Sequence, residues 1–226
     1  MPGFLWQLAK LSRLRFFYLA TRGKTQRLTA LYVLIASFVS LSTLGAVAYF
    51  LKWSLLFPVL GPTAFLIFYS PARSMSWPRN CILGHLSALI CGWVAFLILS
   101  RFFPQALSHR GLPLLQALFA SGAMALAALV MVSFRILHPP AASTAMLAAT
   151  GYFDSLERMA GLILALFLLS AEGVLLHRLA GIVYPWWREK GGGEEPPIRT
   201  KLGDLGESPS TDPMTRLAHQ LTTRRK

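Results

Sequence analysis

The stretch LPLLQALFASGAMALAALVMVSFRILHPPAASTAM, residues 112–146, holds twenty-six mostly apolar residues and then a His-Pro-Pro break. A run of that length spans roughly 30 Å of hydrocarbon as a helix rising about 1.5 Å per residue. A break at its end leaves backbone N–H and C=O groups without intrahelical partners, and lipid cannot satisfy them. Working outward, three more long apolar runs appear at Leu28–Leu51, Asn80–Ser100 and Met159–Leu179. Two shorter ones, Trp53–Ser70 and His138–Phe153, lie between them. The chain is 54% hydrophobic with a mean hydropathy of +0.52, too apolar for a soluble domain of 226 residues. The expected fold is an all-α membrane protein. It has four long transmembrane helices plus two short proline-broken helices, arranged as two internal repeats.

The repeat emerges from a shift of 81 residues. Leu28–Leu51, Trp53–Ser70 and Asn80–Ser100 then fall on later segments of like character, without a gap. The identities sit at breaker and small positions: Pro58 with Pro139, Thr63 with Thr144, Ala64 with Ala145, Leu66 with Leu147 and Gly92 with Gly173. Paired interrupted helices are a recurring plan of transporters. Six crossings would make the halves inverted. Four crossings with re-entrant breaks would make them parallel. The reading adopted is six segments, two of them short, with both termini on one side.

Charge is concentrated at the ends. Of nine acidic residues, only Asp154, Glu157 and Glu172 lie between Leu28 and Ala180, and the net charge is +13. Lys10, Arg13, Arg15, Arg22, Lys24 and Arg27 precede the first span, and Arg188, Lys190 and Arg224-Arg225-Lys226 follow the last. Cytoplasmic anchoring explains this balance better than nucleic acid does. The expected location is the cell's inner (plasma) membrane, multi-pass, with both termini cytoplasmic. Residues 1–27 read as a basic interfacial segment, 28–184 as the membrane domain and 185–226 as a polar, flexible tail rich in Gly and Pro. Tyr184, Trp186 and Trp187 read as interface aromatics. Cys81 and Cys91 read as small packing residues of one helix, with no disulfide.

The two breaks carry the chemistry. The first reads Phe57-Pro58-Val59-Leu60-Gly61-Pro62-Thr63-Ala64-Phe65, and the second His138-Pro139-Pro140-Ala141-Ala142-Ser143-Thr144-Ala145-Met146. Proline suits the first helical turn, so Pro62 and Pro139-Pro140 are expected to start short intramembrane helices. Free N–H groups there would attract an anion. The candidate substrate-binding residues are Gly61, Pro62, Thr63, Arg79, Asn80, His85, His138, Pro139, Pro140, Ser143 and Thr144. Thr63, Ser143 and Thr144 would donate hydrogen bonds, His85 and His138 conditional positive charge, and Arg79 attraction at the mouth. The alternative is a structural kink whose hydroxyls bond nearby backbone. Glu172 pairs with Arg178 or His177 in one reading and belongs to the site in the other. Small residues such as Gly45, Gly92, Gly122, Gly161 and Gly173 fit close helix packing.

No metalloprotease, nucleophile-elbow or P-loop motif is present, so an enzyme is not expected. His138 has no cysteine or carboxylate at metal-ligand spacing. No metal and no cofactor are expected, a metal held by His85 and His138 being the lesser alternative. The expected partners are a small anion and membrane lipids, with no nucleic acid, and a homo-oligomer is left open.

Gly61-Pro62-Thr63-Ala64, Pro78-Arg79-Asn80, Gly84-His85 and His138-Pro139-Pro140 with Ser143-Thr144-Ala145 together resemble the HPP family of integral membrane proteins. The resemblance covers roughly residues 28–182. It implies a domain of four spanning helices, against the six segments read above. Chloroplast and cyanobacterial members are associated with nitrite transport, so it implies a nitrite-transporter-like function. Some relatives carry a C-terminal pair of CBS modules, which the tail here does not resemble. The resulting expectation is a transporter or channel for a small inorganic anion, nitrite favoured. The alternative is a non-transporting membrane protein, either an intramembrane enzyme or an assembly partner.

Overall fold

A computed structural model describes residues 25–107, 113–182 and 184–187. The basic segment up to residue 24 and the tail from residue 188 lie outside them. Six α-helices follow in order: α1 (Thr25–Leu51), α2 (Leu60–Tyr69), α3 (Pro78–Phe102), α4 (Leu114–Ser133), α5 (Ala141–Ala149) and α6 (Leu156–Ala180). Short 3-10 turns occupy Ser74–Ser76 and Pro104–Leu107. There is no strand among the described residues. Four of the helices are long and apolar enough to cross a membrane.

Local chemistry fixes where the helices begin and end. Pro78 occupies the first turn of α3, where its missing N–H costs nothing. Ser155 caps α6 by accepting from the Arg158 N–H at 3.3 Å. Gly181 closes that helix in the left-handed region at φ 76°, as Ile182 N–H returns to the His177 carbonyl at 2.8 Å. Helix α4 stops at Ser133, short of the expected Leu137, because Arg135 turns left-handed at φ 53°. Lys52, just past α1, does the same at φ 56°.

Side-chain and backbone contacts trace the path through the bundle. At one end, Tyr32 at the start of α1 bonds His177 near the end of α6 at 2.7 Å. There too Arg79 reaches the Arg135 carbonyl at 3.2 Å, and its own N–H reaches the Trp187 carbonyl at 3.2 Å. At the other end, Gly161 lies against the Ser54 carbonyl, and the Phe57 and Phe153 rings are 5.4 Å apart. Gln116 at the start of α4 donates to the Thr150 carbonyl at that same end, at 3.3 Å. Residues 52–77 and 134–155 therefore each run from one end to the other, not back to the end they left. The described residues make six passes through the bundle, the two short ones in opposite directions. Helices α2 and α5 are about 15 Å long, and extended flanks complete each pass. In those flanks Leu55, Phe57 and Ile136 turn inward, while Leu56, Pro58 and Phe134 face outward.

The short helices begin alike. Leu60 N–H bonds the Phe57 carbonyl at 3.0 Å, and Ala141 N–H bonds the His138 carbonyl at 2.9 Å. Helix α3 packs on α4 and α5, while α6 packs on α1 and α2. Gly92 meets Ala148, and Gly173 meets Ile67, a reciprocal pair under the shift of 81 residues. The long third helices depart from that shift: Pro78–Phe102 and Leu156–Ala180 have equal length but are offset by 78.

Gly151 links α5 to α6 at φ 86°, with the Phe96 ring 2.7 Å from where a Cβ would sit. Gly151→Ala is expected to destabilise the bundle by about 1–3 kcal/mol, from the left-handed backbone and the crowded ring. A lowered thermal midpoint in detergent checks this.

Candidate functional site

Helix phase decides which break residues point inward. Thr63 and Thr144 are fully buried on facing sides of α2 and α5, and His85 of α3 lies between them. The Thr63 hydroxyl is 2.9 Å from His85 Nε2, and the Thr144 hydroxyl is 2.7 Å from His85 Nδ1. Thr63 Oγ1 also lies 3.0 Å from the Val59 carbonyl, to which it donates. His138 stands beside them, its ring centroid 5.1 Å from that of His85. Its Nδ1 is 2.6 Å from the Met75 carbonyl, so Nδ1 carries the proton and donates it. Nε2 of the neutral ring is then bare, 3.4 Å from Thr63 Oγ1.

Four side chains from three segments thus form one hydrogen-bonded cluster with no exposed surface. His85 sits about 10 Å along α3 from its N-terminus, well inside the bundle. Glycine makes the approach of α5 feasible. A Cβ on Gly84 would lie 2.9 Å from the His138 Cβ, and one on Gly92 would strike the Ala145 carbonyl. Small residues at such crossings let helix backbones come close.

The other expected site residues lie elsewhere. Pro62, Pro139 and Ser143 are exposed on the bundle surface, and Gly61 and Pro140 are half-buried. The Ser143 hydroxyl donates to the Pro140 carbonyl at 2.6 Å, within its own turn. Arg79 bonds the Arg135 carbonyl at 3.2 Å and Asn80 Oδ1 at 3.1 Å, about a turn and a half from His85. The helix starts also differ from expectation. Helix α2 begins at Leu60, two residues before Pro62, and α5 begins after both prolines. Gly61, Ala142 and Ser143 N–H groups bond the Pro58, Pro139 and Pro140 carbonyls at 3.1–3.3 Å. These turns consume the N–H groups that an anion was expected to find free.

Two further residues complete the surroundings. Cys81, one helical turn before His85, is buried beside both histidines. The sequence offers only the spacing Cys81-x-x-x-His85 as a hint, since His138 is far away along the chain. Tyr184 is not an interface aromatic. Its ring lies 4.5 Å from that of His177, and its hydroxyl donates to the Ser76 carbonyl at 2.5 Å. Burial raises its pKa well above the ordinary value. His177 bonds Tyr32 and the Ile67 carbonyl, and Arg178 stacks 4.1 Å over Trp186. Glu172 therefore pairs with neither; its carboxyl faces Ser40 and Thr43 of α1.

The cluster, its glycine seats and the six-pass frame lie within a single matched region. The family model for the HPP transmembrane region matches residues 22–185. The chain belongs to the HPP family. No curated protein and no solved structure matched this HPP chain. In the HPP domain the motif histidine is thus one member of a Thr–His–Thr–His cluster, and the two motif prolines shape the turn that delivers it.

Proposed function

We propose that this HPP protein transports a small inorganic anion, with nitrite the favoured substrate and no enzymatic activity. The observation that carries the reading is the convergence of two short helices of opposite direction, each preceded by a proline turn, on His85. Interrupted helices meeting inside the bilayer are a usual seat of transported ions. Two threonine hydroxyls and two imidazoles there offer hydrogen bonds to an anion, and protonation adds charge. Their mutual bonds correspond to an occluded state that must open to admit substrate. Arg27, Arg73, Arg79, Arg135 and Arg178 gather at the end where the described residues begin and finish, against Lys52, Arg101 and Arg158 at the opposite one. This supports cytoplasmic termini in a plasma membrane. Membrane lipids are the expected surroundings of the exposed apolar helix faces, and nucleic acid is not a partner.

Nitrite flux into proteoliposomes tests the proposal. Uptake is expected to rise on acidification, because a protonated imidazole favours the anion. His138→Ala is expected to lower it at least tenfold in well-folded protein. Unchanged uptake of every small anion tested would refute the assignment. One observation favours a second reading, a non-transporting assembly partner: the cluster is fully buried and its hydroxyls and rings bond one another. Co-purification at fixed stoichiometry with no flux would support that reading.

A further inference from the structure

Three metal-compatible side chains of the bundle meet at one point. Cys81, His85 and His138 are all fully buried, and one donor atom of each lies within 4.8 Å of the others. Helix geometry supplies the first two, since residues four apart share a face. The turn before α5 supplies the third. Nothing in an apolar core requires a thiol and two imidazoles to converge, and buried polar groups in a membrane are costly.

The orientation of each group suits a ligand. The Met75 carbonyl holds the His138 Nδ1 proton, so Nε2 faces the cluster with its lone pair bare. A carbonyl holding the far nitrogen is the usual outer support of a metal-bound histidine. The Thr63 proton goes to the Val59 carbonyl, so His85 Nε2–H donates to Thr63; moving that proton to Nδ1, toward Thr144, bares Nε2 for a metal. Thr63 Oγ1 lies 2.9 and 3.4 Å from these two nitrogens, within reach of a fourth position. On the remaining side Ser170 of α6 lies near the Cys81 sulfur, and its buried hydroxyl has no hydrogen-bond partner among the described residues. That hydroxyl is a donor placed for a thiolate.

We infer that Cys81, His85 and His138 form a binding site for one closed-shell d10 cation, Zn2+ or Cu+. Thiolate with imidazole is the donor set that selects these ions over Mg2+ or Ca2+. Bonds of about 2.0 Å to nitrogen and 2.3 Å to sulfur place ligand atoms roughly 3.3–3.8 Å apart in a tetrahedron. The cluster therefore closes by about 1 Å on binding. The Cys81 thiol gives up its proton to solvent as the metal–sulfur bond forms. Three protein ligands leave a fourth position for the Thr63 hydroxyl or an exogenous ligand. The inference stands on these side chains and does not rest on the transport reading.

The test uses the full chain purified in detergent from cells grown with added zinc or copper. Metal content is measured as isolated, and Cd2+ or Cu+ is then titrated into chelator-stripped protein. The expected result is one ion per chain and an ultraviolet thiolate-to-metal charge-transfer band. Cys81→Ser, nearly isosteric, is expected to abolish the band, and His138→Gln to weaken binding at least tenfold. Cys91→Ser is expected to leave both unchanged. Preference between the zinc and copper arms identifies the ion. Absence of metal as isolated with no uptake afterwards overturns the inference, as does binding that survives Cys81→Ser with its band intact. Nitrite flux of the stripped protein is measured in parallel, so a failed metal site and a failed transport reading give different results.

Discussion

Gly92→Leu is expected to abolish the folded bundle. Helix α5 crosses α3 so closely at this point that even a Cβ on Gly92 would lie 2.6 Å from the Ala148 Cβ and would strike the Ala145 carbonyl. A carbonyl within a helix cannot rotate aside as a side chain does. Relief would require α5 to move as a unit, carrying Thr144 away from His85 and His138 out of its seat against Gly84. Overpacking of one site costs about 1–3 kcal/mol when side chains absorb it, and backbone obstruction raises that figure. The same crossing includes Gly84, Ala88, Ala141 and Ala145, all small and buried. Detergent-solubilised Gly92→Leu should therefore elute as aggregate in size-exclusion chromatography. Gly92→Ala should elute as wild type does, with a thermal midpoint several degrees lower. Gly122→Ala is the control, since nothing lies within 4 Å of its added Cβ. A Gly92→Leu protein with wild-type elution and midpoint would refute this packing account.

His85→Leu carries the second large effect, because one ring serves two hydroxyls. Its removal leaves Thr144 without its imidazole partner, and Thr63 with only Val59 and a longer approach to His138. A buried polar group left unsatisfied costs about 1–3 kcal/mol. The single variant should be less stable and lose at least tenfold in nitrite flux. Combining Thr63→Val, His85→Leu and Thr144→Val replaces the arrangement with apolar groups of similar size and should recover most of the stability. Flux should stay lost in the triple variant. Stability restored without flux separates a functional cluster from a structural one. Wild-type flux in the triple variant would end the transport reading of this site.

The residues themselves explain why only part of the site was legible. Thr63 and Thr144 stand at equal distances from the starts of two matched helices, and both turn inward. Pro62 and Ser143 are their immediate neighbours, about 100° round the helix, and so turn outward. The notion of free helix N-termini failed for a local reason. Phe57, Pro58, His138, Pro139 and Pro140 offer their carbonyls to the first helical N–H groups. Cys81 escaped notice because its relation to His138 depends on how α5 lies along α3, which no spacing in the chain encodes.

The sequence by itself determined the membrane class, the four long helices, the positions of the two breaks and the paired threonines. Those follow from length, hydropathy and proline chemistry, which act over a few turns of chain. Only the tertiary structure decided that both broken segments run end to end, that His138 binds the Met75 carbonyl, and that Cys81 joins the histidines. Each of these depends on which helix lies against which, and that is set by glycine and alanine contacts between residues far apart in the chain.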